Sequence, residues 1–170
     1  MGNRLLVLGV DSGLANTGYG FVRSVESKFE MVDSGNIQTT AKIPSPERLK
    51  IISDTLDRLV EQHQPQALAI EELFFSKNVT SALAVGEARG VAKLVAANQG
   101  IPVFDYKPAE VKMAIVGYGA ATKRQIQEMI KVVLNLDSIP QSDHAADALA
   151  LSICHLRSRK YIELQEKHTI

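Results

Sequence analysis

LLVLGVDSGLANTGYG (residues 5–20) is the stretch on which the fold turns. Its first six residues are apolar or glycine, and the run then closes on Asp11. That pattern predicts a buried strand carrying a carboxylate at its tip. A polar, Gly-rich turn, SGLANTG, follows and leads into a second strand-like stretch. Residues 4–11, roughly 16–25 and 28–38 are rich in Val, Leu, Tyr and Phe, with Gly13, Gly18, Gly20, Gly35 and the Ser-Lys stretch at 24–28 as punctuation. Three consecutive antiparallel strands joined by hairpins are the economical expectation.

Beyond the third strand, IPSPE (43–47) opens a helix, with Pro46 suited to a first turn and Glu47 to the positive N-terminal end. Leu49, Ile52, Leu56, Leu59 and Val60 share one face, which leaves Lys50, Asp54, Asp57, Arg58 and Glu61 in water and His63 on the hydrophilic side. Pro65 stops this helix. QALAIEE (66–72) then repeats the opening device, an apolar strand ending in carboxylates, here Glu71 and Glu72. A long helix is expected from about Asn78 to Gln99, a short strand over 101–106, and helices over 108–116, 121–136 and 142–159. The charged, aperiodic end is read as a flexible tail over 158–170, leaving a single domain over 1–157. The whole is an α/β chain: three antiparallel strands, then parallel strands, with helices on both faces of a mixed sheet.

At 170 residues the chain is long enough for one proper core. No apolar run approaches the ~20 residues needed to cross a bilayer. The N-terminal apolar stretch runs into Asp11 without a small-residue cleavage site, so it is read as a strand and not a signal peptide. The single cysteine, Cys154, has no internal partner, which suits a reducing cytoplasm. Net charge is zero but unevenly spread. Between residues 76 and 124, Lys77, Arg89, Lys93, Lys107, Lys112, Lys123 and Arg124 face only Glu87, Asp105 and Glu110, a local +4 against −4 elsewhere. Acidic metal ligands combined with a phosphate-gripping face would produce that distribution.

The acids carry the chemistry. Buried carboxylates are costly unless paired or bound to a cation. Asp11 alone could cap its turn, Glu71 or Glu72 could be a strand-end charge, and Asp147 could sit on a helix surface. Together they are harder to dismiss, because Asp147 lies inside the otherwise apolar AADALALSI, with His144 one helical turn before it. Carboxylate oxygens suit Mg²⁺ or Mn²⁺, and two such ions about 4 Å apart serve phosphodiester hydrolysis. No Ser–His triad, CxxC pair or Walker-type loop offers a rival chemistry. His63, His155 and His168 are read as bystanders.

GVDSGLANTGYG, AIEELFFSKNVTSALAVGEARG and DHAADALALSI together resemble the RuvC family of Holliday-junction resolvases, in order and spacing across nearly the whole chain. The resemblance implies an RNase H-like fold, a homodimer, and metal-dependent symmetric nicking of two opposing strands of a four-way DNA junction, leaving 5′-phosphate and 3′-hydroxyl ends. It implies Asp11, Glu71 and Asp147 as catalytic metal ligands, with Glu71 and not Glu72 at the family position. The fourth ligand place, commonly Asp, holds His144, a substitution the family tolerates. Asp143, four residues before Asp147, shares a face with it too; His144 is favoured as the ligand by matched position, and Asp143 is kept as a supporting or N-terminal helix residue that could supplement or replace it. An imidazole in place of a carboxylate removes a negative charge and should shift preference toward Mn²⁺.

The resemblance also implies Phe74 as the ring that stacks at the junction, and Lys112 and Lys123 as catalytic cations near the scissile phosphate. A cation there offsets charge building on phosphorus. Lys77, Arg89, Lys107 and Arg124 are expected to grip DNA phosphates. The RuvA–RuvB branch-migration complex is the partner the family implies. Ala82, Gly86 and Gly90 lie four apart on the long helix and suit either a two-fold seam or packing against the sheet. DSGLANTG also resembles the first phosphate loop of actin- and sugar-kinase-type ATPases, but those use two domains and a second Gly-rich loop. A non-catalytic junction scaffold and an RNA–DNA hybrid hydrolase are the other competitors.

Overall fold

The computed structural model describes residues 4–73 and 79–168, with side chains to Arg159. In chain order it contains β1 (Leu6–Asp11), β2 (Asn16–Val25), β3 (Lys28–Gln38), α1 (Ser45–His63), β4 (Ala67–Glu71), α2 (Val79–Asn98), β5 (Val103–Tyr106), α3 (Pro108–Val116), α4 (Lys123–Val133) and α5 (Asp143–His168). The strands form one sheet in the order β3-β2-β1-β4-β5. β1 pairs antiparallel with β2, and β2 with β3, while β1–β4 and β4–β5 are parallel. This is the mixed sheet expected from the sequence.

Side chains alternate across a strand, and here the alternation sorts them by size. Leu6, Leu8 and Val10 of β1 and Leu68 and Ile70 of β4 point to one face. There they pack with Ile52, Leu56 and Val60 of α1 and Ala88, Ala92 and Val95 of α2. The other face carries smaller residues: Val7, Ala67 and Ala69 meet Ile115 of α3, Ile130 of α4, and Leu149 and Ile153 of α5. Glycines complete that thin face. A Cβ on Gly9 would stand 1.9 Å from the Ala148 carbonyl oxygen, and one on Gly18 2.0 Å from that of His144. The α5 backbone therefore lies directly on β1 and β2. Buried Ser152 pins it there, donating its hydroxyl to the Gly20 carbonyl at 2.8 Å.

Three local expectations need correction. His63 is not on a wet face: its ring packs on Phe21 with centroids 4.5 Å apart, and its Nε2 lies 3.0 Å from Asp33 Oδ2. β3 brings Asp33 to α1, a pairing that helical periodicity does not contain. The fourth helix is shorter than 121–136, because Thr122 caps it through a reciprocal pair with Gln125 and Asn135 turns left-handed at φ 50°. The last helix does not stop at 159; α5 is continuous to His168, so position 157 falls inside it. No Gly or Pro interrupts residues 157–168, and the charged residues there are good helix formers. Among the described residues no helix is long and apolar enough to cross a membrane.

Candidate functional site

Strand alternation decides which acids meet. Asp11 continues the side of β1 that carries Val7 and Gly9, and Glu71 continues the side of β4 that carries Ala67 and Ala69. Both therefore face α5, and Val10–Ile70 being a register pair sets their strand ends side by side. Glu72 lies one residue past the end of β4 and lines the adjoining cleft with Asp11 and Glu71. The close seat of α5 on Gly18 delivers His144 and Asp147 to the same place from above the sheet.

The geometry follows. His144 Nδ1 lies 2.7 Å from Asp11 Oδ2. Asp11, Glu71, Asp147 and Lys112 line one cleft of about 150 Å³ together with Pro108. An adjoining cleft of about 280 Å³ shares Asp11, Glu71 and Pro108 and runs along α2 past Ser81, Ala82, Val85 and Arg89. Lys123, at the start of α4, reaches Asp143 at 3.1 Å and Asp147 at 3.6 Å. Gln127 also donates to Asp143, at 2.8 Å.

The carboxylates disturb one another. Removal from water, then repulsion from Asp11 and Asp147, raises the Glu71 pKa, and Lys112 partly offsets this. Asp147 is raised first by burial and then by Asp11, against the pull of Lys123 and His144. Asp143, in contrast, is held below the usual range by its hydrogen bond from Lys123. Glu71 and Asp147, each harder to ionise beside its acidic neighbours, form with Asp11 an arrangement that a divalent cation would relieve. The donor set, three carboxylates and one imidazole, fits Mg²⁺ or Mn²⁺. Ser12 Oγ, buried beside Asp11 and without a hydrogen-bond partner among the described residues, leaves a further oxygen to be satisfied there. Among the described residues, however, no three such groups are gathered closely enough to hold an ion as they stand. The carboxylates share a cleft but are spread across it, as mutually repelling anions should be.

The cations divide. Lys112 lines the acidic cleft. Lys107 is exposed at the N-cap of α3, where its backbone N–H donates to Glu110. Arg124 is exposed and paired with Glu128 at 2.9 Å. Arg89 is enclosed, with 18% of its side chain exposed, and is ion-paired to Asp105. Phe74 and Lys77 lie outside the described residues.

A family model described as crossover junction endodeoxyribonuclease RuvC matches residues 7–155. The chain belongs to the RuvC family. A relative from Alkaliphilus metalliredigens, itself named crossover junction endodeoxyribonuclease RuvC, is 48% identical over 160 residues, 94% of this chain and 98% of its own. The Chloroflexus aggregans RuvC is 51% identical over 148 residues, covering 87% and 90%. Among solved structures, Thermus thermophilus RuvC in complex with Holliday junction substrate superposes with a TM-score of 0.89 at 31% identity, over 92% of this chain and 96% of that one. Family membership makes the chain an endodeoxyribonuclease, and its mixed sheet is of the RNase H-like kind.

Sequence reasoning overlooked two features of the site. One is the seat of α5: Gly9, Gly18 and Gly20 read as turn punctuation or went unremarked. Their spacing of two along β2, G-Y-G, was the available signal for a thin strand face. The other is the attachment of Arg89, for which a one-dimensional pattern held no sign.

Proposed function

We propose that this chain resolves four-way (Holliday) DNA junctions, nicking two opposing strands symmetrically to leave 5′-phosphate and 3′-hydroxyl ends, in recombination and DNA repair. The observation that carries the reading is the single cleft lined by Asp11, Glu71, Asp147 and Lys112, set where two strand ends meet α5. Asp11, Glu71, His144 and Asp147 are the residues that would hold two Mg²⁺ or Mn²⁺ ions. Bound there, the ions would supply Lewis-acid activation of the attacking water and neutralise charge at the scissile phosphate.

The chain's own groups prepare that site. His144 and Asp11 orient each other through their 2.7 Å contact. Lys123 tempers the repulsion between Asp143 and Asp147 by pairing with both. Lys112, beside the carboxylates, places a cation where negative charge grows on the transferred phosphoryl group. Lys107, Arg124 and Lys77 contact backbone phosphates, and Phe74 stacks on an unpaired base at the branch point. Two copies related by a two-fold axis present two such clefts to symmetric strands. The enzyme works in the cytoplasm, loaded by the RuvA–RuvB complex.

The test is incubation of the protein with a mobile four-way junction, linear duplex and RNA–DNA hybrid, each with Mg²⁺ or Mn²⁺. Paired, ligatable nicks confined to the junction are expected. Cleavage of the hybrid with an untouched junction would transfer the chain to a different nuclease activity.

A further inference from the structure

We propose that Arg89 is a positioning residue for Glu71, acting through the Glu71 carbonyl and Asp105 from the α2 face of the sheet, and not a phosphate ligand. The inference rests on the resolvase reading, which makes Glu71 a metal ligand. It begins with strand register. Ile70 pairs with Asp105 and Glu71 with Tyr106, so β5 alone flanks the catalytic end of β4 on that side. β5 is a four-residue edge strand. Such a strand, with one side unpaired, is held by few ladder bonds and gains from being tied to a neighbouring layer.

Arg89 provides that tie. Ile70 faces α1 and α2, and its register partner Asp105 faces the same way. There the Arg89 guanidinium pairs with Asp105, and Lys93, one turn along α2, reaches the same carboxylate at 3.3 Å. Arg89 Nε also donates to the Glu71 carbonyl oxygen at 3.0 Å. That carbonyl lies past the last β1–β4 register pair, Val10–Ile70. A carbonyl at the end of a ladder needs a donor from elsewhere, and Arg89 supplies it. On β5's side the Glu72 N–H donates to the Tyr106 carbonyl at 2.8 Å. The peptide following Glu71 is thus gripped from both ends, by an arginine on its carbonyl and by the edge strand on its N–H. Rotation of that peptide is what would swing the Glu71 carboxylate out of the cleft.

A planar guanidinium suits this bridging because it presents several donors in a fixed fork. Nε and Nη2 are engaged by the Glu71 carbonyl and Asp105, and Asp105 meets the charge, which sets the guanidinium toward the strand ends. The two roles predict opposite behaviour for Asp105. If Arg89 positions Glu71, removing the Asp105 charge loosens the clamp and harms catalysis. If Arg89 grips phosphate, removing Asp105 frees a cation and tightens DNA binding.

The experiment compares full-length wild type with Asp105→Asn, Arg89→Gln and Arg89→Lys. It measures single-turnover junction cleavage, metal-free junction affinity across a salt series, and Mn²⁺ binding to the DNA-free protein. Asp105→Asn and Arg89→Gln should both slow cleavage by about 10–100-fold and weaken Mn²⁺ binding, the scale on which outer supports of a metal ligand act. Junction affinity and its salt slope should stay near wild type. Arg89→Lys, a point charge without the fork, should fall between. A lower salt slope in Arg89→Gln, by about one phosphate contact, with faster or unchanged cleavage in Asp105→Asn, would overturn the proposal. Should Arg89→Gln fail to fold, Asp105→Asn decides alone, since its side chain is on the sheet edge and 38% exposed. Failure of the wild type to nick junctions would remove the resolvase reading, whereas the Mn²⁺ titration would still report on the clamp.

Discussion

Glu71 is a carboxylate that the folded chain is reluctant to ionise: burial, Asp11 and Asp147 raise its pKa above the ordinary value. The sign of the consequence is fixed by linkage. A carboxyl whose folded pKa exceeds its unfolded one binds its proton more tightly when folded, so its anion lowers stability at neutral pH and the penalty fades as pH falls through the folded pKa. Glu71→Gln should therefore melt at a higher temperature than wild type in metal-free buffer at pH 7.5, with the difference narrowing in acid. On the proposed reading, in which the anion helps to hold the metal, the same variant should lose cleavage by at least about a hundred-fold. Equal melting temperatures at pH 7.5 would mean that the acids are too well hydrated to repel. Lys112 answers to a different measurement. It lines the cleft that holds the acids, so Lys112→Ala should slow cleavage by about a hundred-fold while changing junction affinity little. Parallel losses in rate and affinity would reduce Lys112 to a phosphate contact.

The element that assembles the site is α5, whose seat on β1 and β2 depends on residues with no side chain. Gly18→Ala would place a methyl 2.0 Å from the His144 carbonyl oxygen, so the first turn of α5 must lift. A loss of about 1–3 kcal/mol is expected from such overpacking, and cleavage should drop because His144 and Asp147 move with that turn. Wild-type rate in a fully folded Gly18→Ala protein would show the seat to be irrelevant to catalysis. Farther along, α5 is joined to β5 by Tyr106, whose hydroxyl lies 2.7 Å from His155 Nδ1. Burial pushes the His155 pKa down to about 4. A buried histidine with a depressed pKa contributes stability that is present above its unfolded pKa near 6.5 and is lost as pH falls toward 4. The loss amounts to about 3 kcal/mol, and His155→Gln should flatten the urea-midpoint profile over that window. An unchanged profile would assign the acid sensitivity to other groups. These elements also mark what was legible beforehand. Asp11 and Glu71 announce themselves because a charge ending an apolar run is costly without a purpose, and the order of strands and helices follows from Gly, Pro and periodicity. The two-sided sorting of β1 and β4, which turns Asp11 and Glu71 toward α5, depends on which face α5 covers. The contacts of Arg89 with Asp105 and of His63 with Asp33 span 16 and 30 residues, and no local pattern encodes them.

For the whole molecule, the resolvase reading calls for two clefts related by a two-fold axis. The sheet-facing side of α2 is made by Ala88, Ala92, Val95 and Ala96. On other faces, Val79, Leu83 and Leu94 are 62%, 63% and 59% exposed. Among the described residues, a Cβ added to Gly90 would meet nothing within 4 Å, and one added to Gly86 would meet only Leu73. Of the two uses the sequence left open for this small-residue face, packing against the chain's own sheet is not what Gly90 does. Leucines and glycines in water cost free energy that a second copy would recover by burying them, and glycine lets two helix backbones approach closely. The adjoining cleft along Ser81, Ala82 and Val85 belongs to the same helix, so a seam on α2 would tie the spacing of two active sites to one rigid element. Leu83→Glu puts a charge into that seam without touching the acids or lysines of the cleft. Light scattering of the wild type should give twice the chain mass, and that of Leu83→Glu the single mass. On a four-way junction carried in a supercoiled plasmid, the wild type should release linear product by paired cuts, and the variant should accumulate singly nicked circles. A variant that remains dimeric and still cuts in pairs would exclude this face of α2 from the seam and require the two-fold axis to pass elsewhere.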